Sequence, residues 1–227
     1  ITLRSVHTDD YIFFLVQYPD NSEERQHKTL YWNEEMEMYR TGPEREDSFV
    51  MKWSMEAEPI DLSLSSNRPY LADIWYWKAT RTDHRGYADD KMHIFSLHNQ
   101  KKAKKILSKN GRAFFLRRLG DTGIAAYTAK IQDEYIGKRA SQFRFLTPEG
   151  SRADIRAKGE WQSGAWTIEW ARKLNTGHPD DVLFNVNNRY QFGISIYEIA
   201  GRKKNPKLDK PLFGSGEVGE RLMLVFQ

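Results

Sequence analysis

Trp166-Thr167-Ile168-Glu169-Trp170 sets its apolar residues on one parity and its polar residues on the other, the period-two pattern of a half-buried β-strand. Just before it, Trp161 leads into Gln162-Ser163-Gly164, a turn signal, so Trp161 to Leu174 reads as a hairpin. Tyr190, Phe192, Ile194 and Ile196 share a parity, while Gln191, Gly193 and Ser195 take the other, which predicts a second amphipathic strand over Tyr190 to Ile199. The two pieces are expected to wall one sheet core.

Reading outward, residues 2–18 predict two strands around a tight turn at Thr8-Asp9-Asp10. Tyr11 to Val16, apolar on both parities, is expected to lie mid-sheet with both faces covered. Leu30 to Tyr39 predicts a short strand or loop at the sandwich edge. Ser48 to Met55 predicts a strand with Phe49, Met51, Trp53 and Met55 on one side, and Glu56 to Pro69, rich in Ser, Asn and Pro, a loop. Ala72 to Ala79 is a strand aromatic on both faces, followed by an irregular excursion from Arg81 to Asp90. Residues 94–108 predict a basic helix stopped near Gly111. Strands follow at Phe114 to Leu119 and Gln142 to Leu146, a polar loop at Ala200 to Gly219, and a last strand at Glu220 to Phe226.

Seven Trp and eleven Tyr in a chain of which 29% is charged suit a β-sandwich with polar outer faces, and 227 residues suit a single domain spanning 1–227. Lys plus Arg outnumber Asp plus Glu by 35 to 31, too small a surplus for a nucleic-acid-binding field. The run Lys101-Lys102-Ala103-Lys104-Lys105 reads as a solvated face, or else as a docking patch for an acidic partner. With no Cys, the chain offers neither disulfides, thiolate metal sites nor covalent haem attachment. No stretch approaches the roughly 18 apolar residues of a membrane span. Beginning at Ile1 rather than Met, the chain is expected to be processed or trimmed, a removed export signal being one explanation. No nucleophile elbow, His-Glu-x-x-His, phosphate-binding or dinucleotide motif is present, and catalysis by this chain alone is not expected.

Three segments carry a resemblance: Asp73-Ile74-Trp75-Tyr76-Trp77-Lys78-Ala79 with Arg81-Thr82-Asp83 and Gly86 to Asp90; Gly164 to Leu174 with Asp180-Asp181-Val182; and Tyr190 to Tyr197. Together with Asp10 to Phe14 they resemble the haem-binding domain related to the γ subunit of ethylbenzene dehydrogenase, also found attached to multihaem c-type cytochromes. That resemblance implies an all-β, two-sheet β-sandwich similar to DOMON and carbohydrate-binding domains, with long loops and one or two short helices. It also implies one haem b held between the sheets, a periplasmic or extracellular location, and a redox partner, either a multihaem c-type cytochrome or molybdenum and iron-sulfur subunits.

The same resemblance implies iron held by a Met from the loop after the fourth-strand region and a Lys from the loop before the last strand. A thioether favours reduced iron, and an amine binds once burial has removed its proton. Here Glu56 to Asn67 contains no Met; Met55 at its start is nearest, and Met51 lies in the preceding strand. Of Lys203, Lys204, Lys207 and Lys210, the last two fall closest to the family's position. The candidate iron ligands are therefore Met55, Lys207 and Lys210, with His84 and His93 as alternatives. His93 and His98, five apart, do not share a face, so they do not grip one ion together. Trp75 and Trp77 share a parity and are candidates to stack on a macrocycle or a sugar, with core packing as the plain alternative. Asp89-Asp90 and Asp180-Asp181 read as turn or cap residues, or as oxygen ligands for a hard cation. The expected function is b-haem electron transfer; the alternatives are a haem-free binding or assembly subunit and a carbohydrate-binding module.

Overall fold

The computed structural model describes residues 1–197 and 221–227. Its strands are β1 (Thr2–His7), β2 (Tyr11–Pro19), β3 (Leu30–Asn33), β4 (Met38–Thr41), β5 (Ser48–Ser54), β6 (Tyr70–Lys78), β7 (Asp89–Ser96), β8 (Lys104–Leu107), β9 (Ala113–Gly120), β10 (Gly123–Ile124), β11 (Tyr127–Ala129), β12 (Arg139–Ala140), β13 (Phe143–Phe145), β14 (Glu149–Gly150), β15 (Arg156–Gln162), β16 (Ala165–Lys173), β17 (Arg189–Tyr197) and β18 (Leu222–Val225). A four-stranded sheet in the order β1-β2-β16-β15 packs on a seven-stranded sheet in the order β18-β17-β5-β6-β7-β9-β8, with a three-stranded sheet, β12-β3-β4, and two short ribbons beside them. The chain is an all-β two-sheet sandwich. Among the described residues the helical turns are two 3-10 segments, Asp83–Arg85 and Ser151–Ala153, and no helix is long and apolar enough to cross a membrane.

The organising hairpin forms as expected. Gln162 pairs with Ala165 across a two-residue turn whose Ser163 and Gly164 both have left-handed φ, 51° and 81°. That backbone twist matches the flanking strands. Trp166, Ile168 and Trp170 then point inward to meet Phe49, Met51 and Trp53 of β5 and Trp75 and Trp77 of β6 in one buried cluster. Large rings meet a missing side chain at one point: a methyl group at Gly159 of β15 would lie 2.3 Å from Cζ2 of Trp77. Gly159 and Trp77 also share an acceptor, both donating to Oδ1 of buried Asp83, at 2.6 and 2.9 Å.

The larger sheet is covered on both sides. Every residue of β5 is buried, because its even-numbered residues face a second cluster built from Val50, Ile60, Leu62, Tyr70, Ile74, Phe95, Phe114 and Leu116. β17 is likewise buried on both parities rather than amphipathic, with Gln191 and Ser195 among its buried residues.

Three expectations are corrected. Residues 94–108 form no helix but the end of β7, a turn and β8, since Phe95, Leu97 and Ile106 alternate onto the second cluster and Lys102 takes a left-handed φ of 65°. The lysine run lies exposed on that turn and on β8, where charge protects a sheet edge. Tyr11 to Val16 lies mid-sheet, yet only one face is covered: Ile12, Phe14 and Val16 are buried, while Tyr11 and Phe13 are exposed. Asp89 and Asp90 are no turn; they open β7 as buried strand residues. The last two residues of the strand expected over Tyr190 to Ile199, and the polar loop Ala200 to Gly219, lie outside the described residues.

Gly159→Ala should lower stability by roughly 1–3 kcal/mol, the usual cost of overpacking a closed core. Urea denaturation measures it, and a loss under about 0.5 kcal/mol would mean that Trp77 is free to move aside.

Candidate functional site

Alternation in the central strands sorts two chemistries onto two faces. The inner face of β5 and β6 carries indoles, whereas the outer face carries Lys52, Ile74 and Tyr76, continued on β7 by Lys91 and His93. Pairing sets these side chains on neighbouring rungs: Lys52 lies opposite Ile74, Ile74 opposite Lys91, and His93 opposite Arg118 of β9. Val50 sits between Tyr76 and Ser195 of β17. Together with Leu64 and Tyr197 they line a small enclosed cavity of about 90 Å³.

Loop 55–69 roofs this face. Gln191 fixes it by a reciprocal amide pair, accepting from Ile60 N at 2.8 Å and donating to Ile60 O at 2.6 Å. Lys52 Nζ donates to Leu62 O at 2.6 Å and to the Tyr70 hydroxyl at 2.7 Å. These bonds satisfy loop carbonyls that would otherwise be buried without partners.

The cavity is electropositive. Burial pushes the Lys52 ammonium down to about 7, with the Arg118 charge adding to the effect. Burial also holds the His93 imidazole well below its ordinary value, and Lys52, Arg118 and Lys91 reinforce it. His93 is therefore neutral, the form that binds a metal. Its Nδ1 is buried and has no hydrogen-bond partner among the described residues. On one side the charge is balanced by Asp89, which accepts from Lys78 and lies 3.1 Å from Lys91. Burial opposes ionisation of Asp89, but the two lysines outweigh it and hold the carboxyl below its usual range. The Tyr197 phenol is pushed up to about 12 by burial and by Tyr76, so it stays protonated. Desolvated cations, apolar walls and an unpartnered imidazole have the chemistry to meet an anionic ligand that carries a metal.

The sequence-derived candidates do not all gather there. Trp75 and Trp77 lie on the inner face, fully buried against Trp53, Trp170 and Trp166, with ring centroids 5.2 Å (Trp53–Trp75), 6.4 Å (Trp75–Trp170) and 4.9 Å (Trp77–Trp166) apart. No face of either ring is open to a macrocycle or a sugar. Met55 is half-buried against the same inner cluster, beside a crevice of about 610 Å³ that also holds Asp181, Arg189 and Tyr190. Met55 and His93 thus serve opposite faces of the larger sheet. His84 is exposed on the first 3-10 turn, stacked on Phe145 with centroids 4.4 Å apart. Lys207 and Lys210 lie outside the described residues, in segment 198–220, which follows Tyr197 of the cavity wall. The loop expected to carry a methionine does reach the cavity, but it presents Leu64.

Lys52, Lys91, Arg118 and Tyr197 escaped the reading of the sequence. A signal existed for the first, a charged residue inside Phe49-Val50-Met51-Lys52-Trp53.

A family profile described as ethylbenzene dehydrogenase matches residues 1–205. No curated protein matches the chain.

Burial pushes the Lys52 ammonium down to about 7 in the folded chain, and unfolding returns it to its ordinary 10.5. The unfolded chain then binds more protons between those values, so stability should rise with pH across that window. Urea midpoints should be higher at pH 9 than at pH 7, and Lys52→Met should shrink the difference; an unchanged difference in the variant would refute the assignment.

Proposed function

Because this chain belongs to the ethylbenzene dehydrogenase family, haem-binding electron-transfer subunits of oxidoreductase complexes, we propose that it is an exported b-type haem module that passes single electrons to a redox partner. The partner is a multihaem c-type cytochrome or a molybdenum and iron-sulfur assembly. The proposal places the haem on the outer face of the larger sheet, under loop 55–69. The observation that carries this placement is the unpartnered, buried imidazole of His93 in a cavity ringed by Lys52, Lys91 and Arg118.

The space between the sheets does not suit the group, being filled by Trp53, Trp75, Trp77, Trp166 and Trp170, all at most 2% exposed. The lining of the outer cavity suits it chemically. About 90 Å³ is less than a haem occupies, so the group would enter only with outward movement of loop 55–69, which reaches the cavity through Leu64. In this reading Lys52, Lys91 and Arg118 would pair with the carboxylates of a haem, and His93 with Lys207 or Lys210 would hold its iron. Haem brings one-electron cycling of its iron; the chain contributes a dry pocket, a fixed ligand direction and positive charge that favours the reduced state. Loop 55–69 excludes water, and transfer is outer-sphere.

A haem-free assembly subunit is the second reading, motivated by Leu64 in place of a thioether. A carbohydrate-binding role through Trp75 and Trp77 has no support, since both rings are buried.

Purified protein given one equivalent of haem should show the sharp reduced bands of six-coordinate low-spin iron. His93→Ala and either Lys207→Ala or Lys210→Ala should change the spectrum, and Met55→Leu should not. Bands lost with Met55→Leu but kept with His93→Ala would move the haem to the crevice at Met55. A featureless spectrum would favour the haem-free subunit.

A further inference from the structure

On the inner face, next to the indoles, the sandwich buries an acidic cluster that the haem reading does not use. Alternation sends Asp89 outward to Lys78 and Lys91 and sends its neighbour Asp90 inward, on the rung opposite Trp75. Asp73 of β6 lies one rung pair away, and loop 174–188 delivers Asp181 to the same point. Carboxylate oxygens of Asp73, Asp90 and Asp181 all lie within 4.8 Å of one another. Asp121, just past β9, faces Asp90 carboxyl to carboxyl.

One cation meets this group. Arg172 Nη2 lies 3.5 Å from Asp73 and 3.2 Å from Asp181, without hydrogen-bond alignment to either. Asp90 is 0% exposed, and neither of its oxygens receives a donor among the described residues. Asp83 shows a buried carboxylate with both oxygens paired. Asp83 accepts from Trp77, Gly159, Lys158 and Arg25. An unpartnered buried carboxylate aimed at two others is a different arrangement, and burying uncompensated charge costs several kcal/mol per ion.

We propose that Asp73, Asp90 and Asp181, with Asp121 beside them, form a binding site for one calcium ion inside the sandwich. The donors are all hard oxygens, the choice of calcium and magnesium rather than of softer metals. Oxygens up to 4.8 Å apart can share an ion at about 2.4 Å each, the calcium distance. Four carboxylates against one guanidinium leave room for two positive charges. Asp154, half-buried and bonded to His178 Nδ1 at 2.6 Å, stands beside Asp181 on the solvent side and offers the ion a way in.

The ion would tie loop 174–188 to the larger sheet. Asp180 already anchors that loop, accepting from Ser151 Oγ at 3.0 Å and Thr122 N at 3.3 Å. From the same loop Phe184 plugs the end of the interior, with its ring 5.1 Å from Trp53 and 4.9 Å from Tyr190.

The test uses the full chain, stripped with chelator and returned to CaCl2, MgCl2 or MnCl2, with melting temperature and bound metal per chain measured together. Saturating calcium should bind one ion per chain and raise the melting temperature by roughly 5–10 °C. Asp90→Asn should abolish that rise and, in chelator, melt higher than the stripped wild type, because a neutral amide replaces a carboxyl buried among other carboxyls. Asp121→Asn provides the same comparison should Asp90→Asn fail to fold. No stoichiometric ion and no rise with any of the three salts would overturn the site; so would a calcium effect that survives in both variants, which would place the ion elsewhere. Stabilisation by magnesium or manganese alone would overturn the assignment to calcium.

Discussion

Five indoles packed between two sheets constrain everything else in this molecule. Trp53, Trp75, Trp77, Trp166 and Trp170 fill the sandwich so fully that a flat macrocycle has no slot there. Burying such rings is worth several kcal/mol each, so opening the interior for a ligand would cost much of a domain's net stability. The haem proposal therefore turns to the opposite face of the seven-stranded sheet. That face has its own apolar cluster and its own lid, loop 55–69, and on it the chain has placed buried cations.

Strand periodicity made most of the architecture legible. In Trp166 to Trp170 and in Phe49, Met51 and Trp53 the inward parity was read directly from the residues, and the two-residue turn at Ser163-Gly164 announced itself. Periodicity is silent about what covers the other face. Tyr11 to Val16 is apolar on both parities and Ser48 to Ser54 mainly on one, yet the first is exposed on one face and the second is buried throughout. Long-range packing decides between them. The failed helix at 94–108 has a related cause, since Phe95 and Leu97 fit a strand as well as a helix until the second cluster is in place.

The candidate site was less legible, because it is assembled across five strands and a loop. His93 appeared among the histidines, but nothing local shows that Ile74 and Lys91 lie beside it or that Arg118 lies opposite. Met55 looked suitable by its place in sequence, and the pleat then turned it to the inner cluster. The pair Asp89-Asp90 shows the same rule with a clear outcome: adjacent residues of identical chemistry belong to opposite faces, one neutralised by lysines and one left among carboxylates. A single strand, β7, thereby contributes to an electropositive cavity on one side and an electronegative pocket on the other.

Locating the iron tests where the sandwich holds its haem. Anomalous diffraction collected at the iron edge from crystals of the haem-loaded protein should place the metal on the outer face of the larger sheet, bonded to the imidazole of His93. Iron found beside Met55 at the end of the interior, or between displaced indoles, would contradict the account.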